Sequence, residues 1–201
     1  MKFSLFDYNN ERSPLKISYE EHGVVQKLGL HLYHIFSNLP ADQSIVLVCI
    51  GTDRSTGDSL GPLVGRNLRH ISSFPNVMLF GTLDHPVHAM NLEQTFNEIK
   101  QKFFDPFIIA IDACLGQVSS VGYIQVGSGP LKPGAGVKKD LPAIGDIHIT
   151  GIVNVGGFME YFVLQNTRLN LVMRMSEVIA DSIHTAIHLR STRTPDISPL
   201  R

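Results

Sequence analysis

The sequence is poor in the features that mark several classes of protein. It has only two cysteines, Cys49 and Cys114, each beside an apolar run, which favours reduced, buried thiols over a secreted disulfide scaffold. The formal net charge is -1 and the longest cationic run is Lys138–Lys139, which argues against a nucleic-acid partner. No stretch approaches the roughly 18 apolar residues of a membrane span. These absences predict a soluble, cytoplasmic protein with neither nucleic-acid nor membrane partners.

The composition is that of a globular domain. Hydrophobic residues make up 43% of the chain and charged residues 17%, a balance that argues against disorder. The length of 201 residues suits one domain, and neither an internal repeat nor a linker divides the sequence. We therefore expect a single domain over residues 1–201, with a loosely structured arm at residues 1–17 and a frayed tail at residues 191–201.

Short apolar runs alternate with segments of helical periodicity. The continuous runs are typical of parallel strands that are covered on both faces. They lie at residues 45–50, 77–80 and 107–111, with further strand candidates at 121–126 and 147–153. Apolar spacing predicts helices after Ser18, near Asp58, after Asn91 and over residues 168–189, with Ser18 and Asn91 as capping residues. The alternation predicts a three-layer αβα domain around a mostly parallel sheet.

Acidic residues follow two of the predicted strands. Asp53 and Asp58 lie in CIGTDRSTGDSLGP, directly after the first strand, and Asp112 follows the apolar run FIIAI. Ligands of such sheets bind at the carboxyl ends of the strands, so we expect Asp58 and Asp112 at one edge. Two carboxylates brought together there would share a proton, and could activate water and protonate a leaving group. The same pair could instead chelate a metal together with a histidine.

Other interpretations of these acids stay open on the sequence alone. Asp58 is well placed to cap a helix, and Asp112 could be a capping or surface acid. A phosphate-binding loop is disfavoured, because Gly51, Gly57 and Gly61 match neither the Walker pattern nor G-x-G-x-x-G. The neighbouring acids would also repel a phosphate.

Three histidines have both structural and functional interpretations. His148 is either a hydrogen-bonded core residue or the third ligand of a divalent metal held with Asp58 and Asp112. His184 and His188 lie four residues apart on the last helix without an H-E-x-x-H motif, which favours a solvated or dimer-facing stripe. The apolar residues of the same helix, from 172 to 187, would serve either core packing or a homodimer. No other cofactor is predicted.

A substrate groove is predicted at the edge that carries the acids. Gly57 and Gly61 would allow a close approach of backbones, and Asp53 and His85 would line the groove from adjacent loops. The segment from Gly127 to Gly145 is too rich in glycine and too long for a simple connector. We expect that segment to shape or cover the groove.

Two motifs in combination resemble a known family. VCIGTDRSTGDSLGPLVG, followed about fifty residues later by IIAIDACLG, resembles the YyaC family of sporulation proteins of endospore-forming bacteria. The resemblance covers nearly the whole chain, including GTLDHPVHAMNL and GDIHITGIVNVGGFMEYFVLQNTRL. That family is similar to the spore germination protease and, more distantly, to the hydrogenase-maturation endopeptidases. This wider similarity rests on the patches around Asp58 and Asp112.

The resemblance implies a phosphorylase/hydrolase-like fold and an aspartate-dependent peptidase. The germination protease is regarded as an atypical aspartic peptidase that cleaves small acid-soluble spore proteins, and its two functional aspartates match Asp58 and Asp112. In the hydrogenase-maturation relatives the first acid is Glu, and a downstream His, for which His148 is the candidate here, completes a nickel-recognising site. The implied location is the forespore or spore interior. The alternative is a non-catalytic or metal-binding sporulation protein on the same scaffold.

Overall fold

The computed structural model describes residues 14–133 and 142–193, and a six-stranded sheet lies at its centre. The strands are β1 (Leu15–Ser18), β2 (Ile45–Cys49), β3 (Val77–Phe80), β4 (Phe107–Gly116), β5 (Tyr123–Ser128) and β6 (Ile147–Val155). The helices are α1 (Val24–Ser37), α2 (Leu60–Asn67), α3 (Leu92–Lys102), α4 (Glu160–Gln165) and α5 (Leu169–Arg193). Short 3-10 turns occupy Gly57–Ser59, Ile71–Ser73 and Val118–Ser120.

The sheet has the strand order β1-β5-β6-β4-β2-β3. β3, β2, β4 and β6 form a parallel run, whereas β5 is antiparallel to both β6 and β1. α2 connects β2 to β3 and α3 connects β3 to β4 as helical crossovers, whereas the chain passes from β4 to β6 through β5. The predicted α/β class with a mostly parallel sheet is therefore confirmed.

Each face of the sheet buries its own apolar cluster, because side chains alternate between the two faces along a strand. In β2, Ile45 and Leu47 pack with α1, α2 and α5, whereas Val46 and Val48 pack with α3. Helices thus cover both faces of this strand, which explains why it is apolar at every position. This arrangement confirms the three-layer αβα architecture.

The apolar side of α5 belongs to the core of the chain. Val172, Met175, Ile179, Ile183 and Ile187 are buried in the cluster that α5 shares with α1. The core-packing interpretation of this stripe is therefore confirmed, and its use as a dimer surface is wrong. Within the described ranges, no helix combines the length and the hydropathy that a membrane crossing needs.

The two ends of the domain are more regular than the sequence predicted. Residues 15–17 of the predicted arm belong to β1, which pairs with β5, and Ile17 is buried by this pairing. Residues 191–193 of the predicted tail continue α5. The reason is tertiary, since an edge strand of four residues forms only where another strand offers a partner. The rest of the arm and of the tail lies outside the described residues.

Two predicted helix starts also differ in the structure. Ser18 ends β1, and α1 begins later, after Gly23 with a φ of 72° and without a side-chain cap. Asn91 does precede α3, but its side chain accepts from the His88 N–H (2.7 Å) and donates to the Pro86 carbonyl (3.0 Å). Both residues therefore lie before the first turn of their helix and do not cap it. Short polar side chains often form hydrogen bonds with nearby backbone groups outside a helix instead.

The start of α2 lies directly against the end of β2. A Cβ atom on Gly61 would overlap the carbonyl group of Ile50, so only glycine permits this approach. Gly51, with a φ of 144°, makes an equally close approach to the Asp58 carbonyl oxygen. These two glycines fix the first turn of α2 over the carboxyl end of β2.

Gly61→Ala is expected to lower the free energy of unfolding by about 3 kcal/mol, because the new methyl group must displace the backbone of β2. Urea unfolding of the variant measures this loss. Gly29→Ala in α1 is the matched control, since a Cβ atom there would lie 3.1 Å from the Thr185 side chain and 3.3 Å from the Ser182 carbonyl oxygen, far less crowded than the 2.0 Å approach at Gly61. Equal unfolding midpoints for the two variants would contradict the prediction.

A partly buried histidine lies on α1. The Nε2 atom of His31 is buried and has no hydrogen-bond partner among the described residues. Burial lowers the pKa of His31, and the neighbouring His34 lowers it further. The folded protein therefore resists the protonation of His31, whereas the unfolded chain accepts it at the ordinary pKa.

The free energy of unfolding is expected to fall as the pH drops below 6.5, because the unfolded state then binds a proton that the folded state binds more weakly. Urea unfolding at about pH 7.5 and about pH 5.5 measures this slope. His31→Gln should make it shallower, while His22→Gln at an exposed position serves as the control. An unchanged slope in His31→Gln would refute the assignment.

Candidate active site

β4 extends beyond its neighbour β2 at the edge where the acids lie. β2 ends at Cys49 opposite Ile111, and the Ile50 N–H donates to the Ile111 carbonyl oxygen at 2.7 Å. β4 continues to Gly116, paired with β6 alone over this part. The sequence predicted that Asp112 ends its strand, but the strand continues for four more residues. Asp112 is the first residue of β4 that has lost its β2 neighbour.

The Asp112 carboxylate is buried at this step in the sheet. Its Oδ1 atom accepts a hydrogen bond of 2.8 Å from the Ala113 N–H, and the residue is 9% exposed. Burial raises the pKa of Asp112 well above its ordinary value, and the negative charge of Asp58 raises it further. The Ala113 N–H lowers this pKa in part, because it stabilises the carboxylate form. Asp112 is thus disposed to hold a proton.

Asp58 lies in the 3-10 turn that precedes α2. It is half-buried, and burial raises the pKa of its carboxyl. Neither this turn nor α2 has a side-chain cap, and no hydrogen bond joins the Asp58 carboxylate to another described residue. The capping interpretation of Asp58 is therefore wrong. Its carboxylate is left available for a ligand or water.

The structure brings Asp58 and Asp112 together, as their positions after two parallel strands predicted. The charge of Asp58 acts on Asp112 through a partly desolvated space, so ionising both carboxylates at once is unfavourable. A proton on Asp112 relieves this repulsion, so the pair is disposed to carry one proton while Asp58 is ionised. The chemistry available to it is acid and base catalysis or the binding of a cation.

Cys114 and Thr150 adjoin the acid pair, and sequence reasoning assigned neither of them to the site. Thr150 pairs with Asp112 across β4 and β6, and its side chain lies beside the Cys114 thiol. Burial raises the pKa of Cys114, Thr150 lowers it in part, and the Asp112 charge raises it. Cys114 is thus a neutral thiol rather than an activated thiolate. The only signal for Thr150 is the strand register, which the sequence does not reveal.

Two of the predicted groove residues lie on exposed loops. Asp53 is exposed in the segment between β2 and the 3-10 turn. His85 is exposed in the loop after β3, which reaches the end of β2 where the Gly51 N–H donates to the Val87 carbonyl oxygen at 2.7 Å. Neither side chain forms a hydrogen bond with the acid pair within the described ranges. Their role in binding a substrate stays a prediction.

The two glycines of the predicted groove serve internal packing instead. Gly61 contacts β2, as described above, and Gly57 contacts the segment around α4. A Cβ atom on Gly57 would lie 2.7 Å from Leu164 Cδ2 and 3.0 Å from Thr167 Oγ1. Both glycines are buried, so their close approaches are to the protein itself. This corrects the expectation that they line a substrate groove.

His148 behaves as a structural histidine. Its Nδ1 atom lies 2.9 Å from the Gly129 carbonyl oxygen, and its ring packs directly over Gly127. Among residues 14–133 and 142–193, no three His, Cys, Asp or Glu side chains are grouped so that they could hold a metal ion. His148 therefore does not complete a three-ligand site with Asp58 and Asp112.

The remaining candidates lie away from the acid pair. In the segment from Gly127 to Gly145, Leu131 and Ile144 exchange two backbone hydrogen bonds of 2.8 and 2.9 Å, and residues 134–141 lie outside the described residues. A covering role for the segment stays a prediction. His184 and His188 stack with ring centroids 6.4 Å apart on the exposed side of α5, which fits the predicted solvated stripe.

The segment from Gly57 to Gly61 also satisfies the G-x-S-x-G pattern of α/β-hydrolases. That motif functions on a sharp turn directly after a strand, whereas β2 ends at Cys49, well before Gly57. Ser59 is 7% exposed, and its Oγ donates to the Thr56 carbonyl oxygen at 2.6 Å. The serine is therefore engaged and buried, and the pattern does not form a nucleophile elbow.

Asp112→Asn is expected to increase the free energy of unfolding at pH 7. When the wild-type protein folds, the Asp112 carboxyl either takes up a proton or is buried as an anion. Each process lowers the free energy of unfolding once the pH exceeds the pKa that Asp112 has in the unfolded chain. This penalty grows as the pH rises from the unfolded toward the folded pKa of Asp112. Asparagine has no such titration and can still accept from the Ala113 N–H. Urea unfolding of both proteins across this range measures the difference, and a lower midpoint for Asp112→Asn at pH 7 would contradict it.

Comparison with known proteins identifies the relatives of the chain. Residues 16–182 match the family described as "Protein of unknown function (DUF1256)". The chain is 62% identical over 143 residues to the uncharacterized protein YyaC of Bacillus subtilis (strain 168), covering 71% of this chain and 69% of that protein. A solved structure is also similar, the crystal structure of a NiFe hydrogenase maturation protease, HycI from Thermococcus kodakarensis KOD1. It shares 19% sequence identity with a TM-score of 0.48, and the match covers 76% of this chain and 98% of that chain. A likeness of that degree supports no conclusion about activity.

The family match and the identity to YyaC confirm the resemblance that the motifs indicated, and the chain belongs to the DUF1256 family.

Proposed function

We propose that the protein is an aspartate-dependent peptidase that acts in sporulation or germination, with Asp58 and Asp112 as its acid and base. The observation that carries the proposal is the buried position of Asp112 at the open step in the sheet, where the charge of Asp58 raises its pKa. Two carboxyl groups whose ionisation is coupled in this way are suited to hold one proton and to move it during catalysis.

The different burial of the two acids assigns their roles. Asp112 is the more deeply buried acid and keeps its proton, so it serves as the general acid. Asp58 is half-buried and has no hydrogen-bond partner among the described residues, so its carboxylate serves as the general base toward a water molecule. Environments that differ in this way separate the tasks of two chemically identical side chains.

The reaction that these roles support is hydrolysis of a peptide bond. Asp58 removes a proton from water while the water oxygen forms a bond to the carbonyl carbon of the substrate. Asp112 then donates its proton to the amide nitrogen as the carbon–nitrogen bond breaks, which releases a carboxylic acid and an amine. The proton on Asp58 passes to Asp112 through solvent, and the pair returns to its starting state.

Other nucleophiles near the acid pair are unsuited to covalent catalysis. The pKa of Cys114 is raised, so little thiolate forms, and no histidine is hydrogen-bonded to its thiol among the described residues. Ser59 is buried and donates to a backbone carbonyl. Direct attack by water is therefore the mechanism that the arrangement of the described side chains favours.

The substrate class and location follow from the resemblance to the germination protease. A protein or peptide substrate is proposed, with small acid-soluble spore proteins as the candidates and the spore interior as the location. The competing function is a non-catalytic protein that binds a divalent cation between Asp58 and Asp112. The nearness of two carboxylates favours this alternative as well, with water molecules as the remaining ligands.

Asp58→Asn and Asp112→Asn are each expected to lower the rate of cleavage of purified small acid-soluble spore proteins by about 100-fold or more, because each variant removes one proton-transfer group. Gel electrophoresis and mass spectrometry of the products measure the rate. Asp42→Asn, at an exposed position in the loop before β2, is the matched control and should retain full activity.

Two results would contradict the peptidase proposal. One is an unchanged rate of cleavage in either aspartate variant. The other is that the wild-type protein cleaves nothing but carries a bound divalent metal, and that the Asp58→Asn variant no longer binds this metal. The second result would support the competing function.

A further inference from the structure

An exposed apolar surface adjoins the turn that carries Asp58. The segment from Phe158 to Phe162 holds four large apolar side chains that are more than half exposed, namely Phe158, Met159, Tyr161 and Phe162. Scattered apolar residues are normal on a protein surface, but a contiguous group of this kind marks a binding site. The group belongs to α4 and the residues that lead into it.

A wide, shallow pocket of about 560 Å³, largely open to solvent, lies between α4 and the last residues of β6. Phe158, Met159, Phe162 and Val163 line it from α4 and the residues before it, together with Asn166 and with residues 154–156 at the end of β6. Among the described residues, no charged side chain lines this α4 pocket. Its volume falls within the usual range for ligand sites, and its lining suits an uncharged, apolar group.

The α4 pocket is connected to the acid pair through two contacts. Leu164 on the inner side of α4 and Thr167 just after this helix lie against Gly57, the residue before Asp58. On β6, Asn154 pairs with Leu115 and the next residue pairs with Gly116, three and four positions beyond Asp112 on β4. At about 3.3 Å per residue, the pocket begins roughly 10–13 Å from Asp112 along the strand.

The edge of β4 beyond β2 provides a route between the two places. From Ala113 to Gly116, β4 has no strand partner on the side that β2 vacates, within the described part of the chain. An extended peptide can add to such an edge as a further strand through backbone hydrogen bonds. Its residues would rise at the same spacing as those of β4, so three or four of them would separate Asp112 from the pocket.

We propose that the α4 pocket binds an apolar side chain of an extended peptide substrate, three or four residues from the bond that Asp58 and Asp112 cleave. This inference rests on the proposed peptidase function and adds a substrate preference to it. The substrates are peptides with Leu, Ile, Val, Met or Phe at that distance from the cleavage site.

The experiment uses peptides that span a cleavage site mapped in a purified small acid-soluble spore protein. Each peptide is made with the apolar residue at the third or fourth position from the site, or with serine in its place. Phe162→Ser is expected to raise KM for the apolar peptide about tenfold, because burial of such a side chain is lost. Replacing the apolar residue of the peptide by serine should raise KM of the wild type by a similar factor. The same replacement should change KM of the Phe162→Ser variant little, because the contact is already lost.

Phe104→Ser is the matched control, since Phe104 is 99% exposed in the loop after α3, outside the pocket. Urea unfolding shows whether Phe162→Ser folds, and Phe158→Ser at an 83% exposed position replaces it if it does not. An unchanged KM in a pocket variant, when the wild type cleaves the peptide, would overturn this inference alone. The inference would also be overturned if the wild type is a dimer and the pocket variant is a monomer with the same KM. The pocket would then be an interface between two copies of the chain. Absence of cleavage by the wild type would overturn the peptidase function and this inference with it.

Discussion

The hydrogen bond between the Ala113 N–H and the Asp112 carboxylate is the interaction on which the site depends. The Ile111 carbonyl accepts from the Ile50 N–H on the side of β4 that faces β2. Because backbone groups alternate along a strand, the Ala113 N–H points to the same side, where β2 has already ended. A backbone donor in a buried position needs an acceptor, and the Asp112 Oδ1 atom provides it at 2.8 Å. This bond directs the carboxylate into the gap between β4 and the start of α2.

The position of Asp58 follows from packing rather than from a hydrogen bond. Gly51 and Gly61 bring the end of β2 and the first turn of α2 closer than any other residue would permit. The turn between them then places Asp58 near the gap that Asp112 occupies. Within residues 14–133 and 142–193 no cation is paired with either acid, and burial raises the pKa of both. Such an arrangement lowers stability, which is the usual compromise at a site of chemistry.

The sequence predicts the acid pair but not what surrounds it. The apolar run before Asp112 and the Asp58 motif identify two strand ends, and parallel strands share one carboxyl edge. Local patterns do not reveal that β4 continues past Asp112, because β6 provides the partner from a distant part of the chain. The same limitation hides Thr150 beside the pair and β1 at the edge. Glycine at position 57 signals a close approach, but only the fold shows that α4 makes it.

The contact at Gly57 joins the exposed apolar surface to the acid pair. Leu164 on the inner side of α4 and Thr167 just after it occupy the space that a side chain at position 57 would need, while Phe162 on the same helix faces solvent. Asn154 of β6 donates to Thr167 at 3.2 Å, which ties the same helix end to the sheet. A peptide bound along β4 with its apolar side chain against α4 would therefore contact elements that also position Asp58. Recognition and chemistry then depend on a single packing arrangement, in which the glycine gives α4 its close approach.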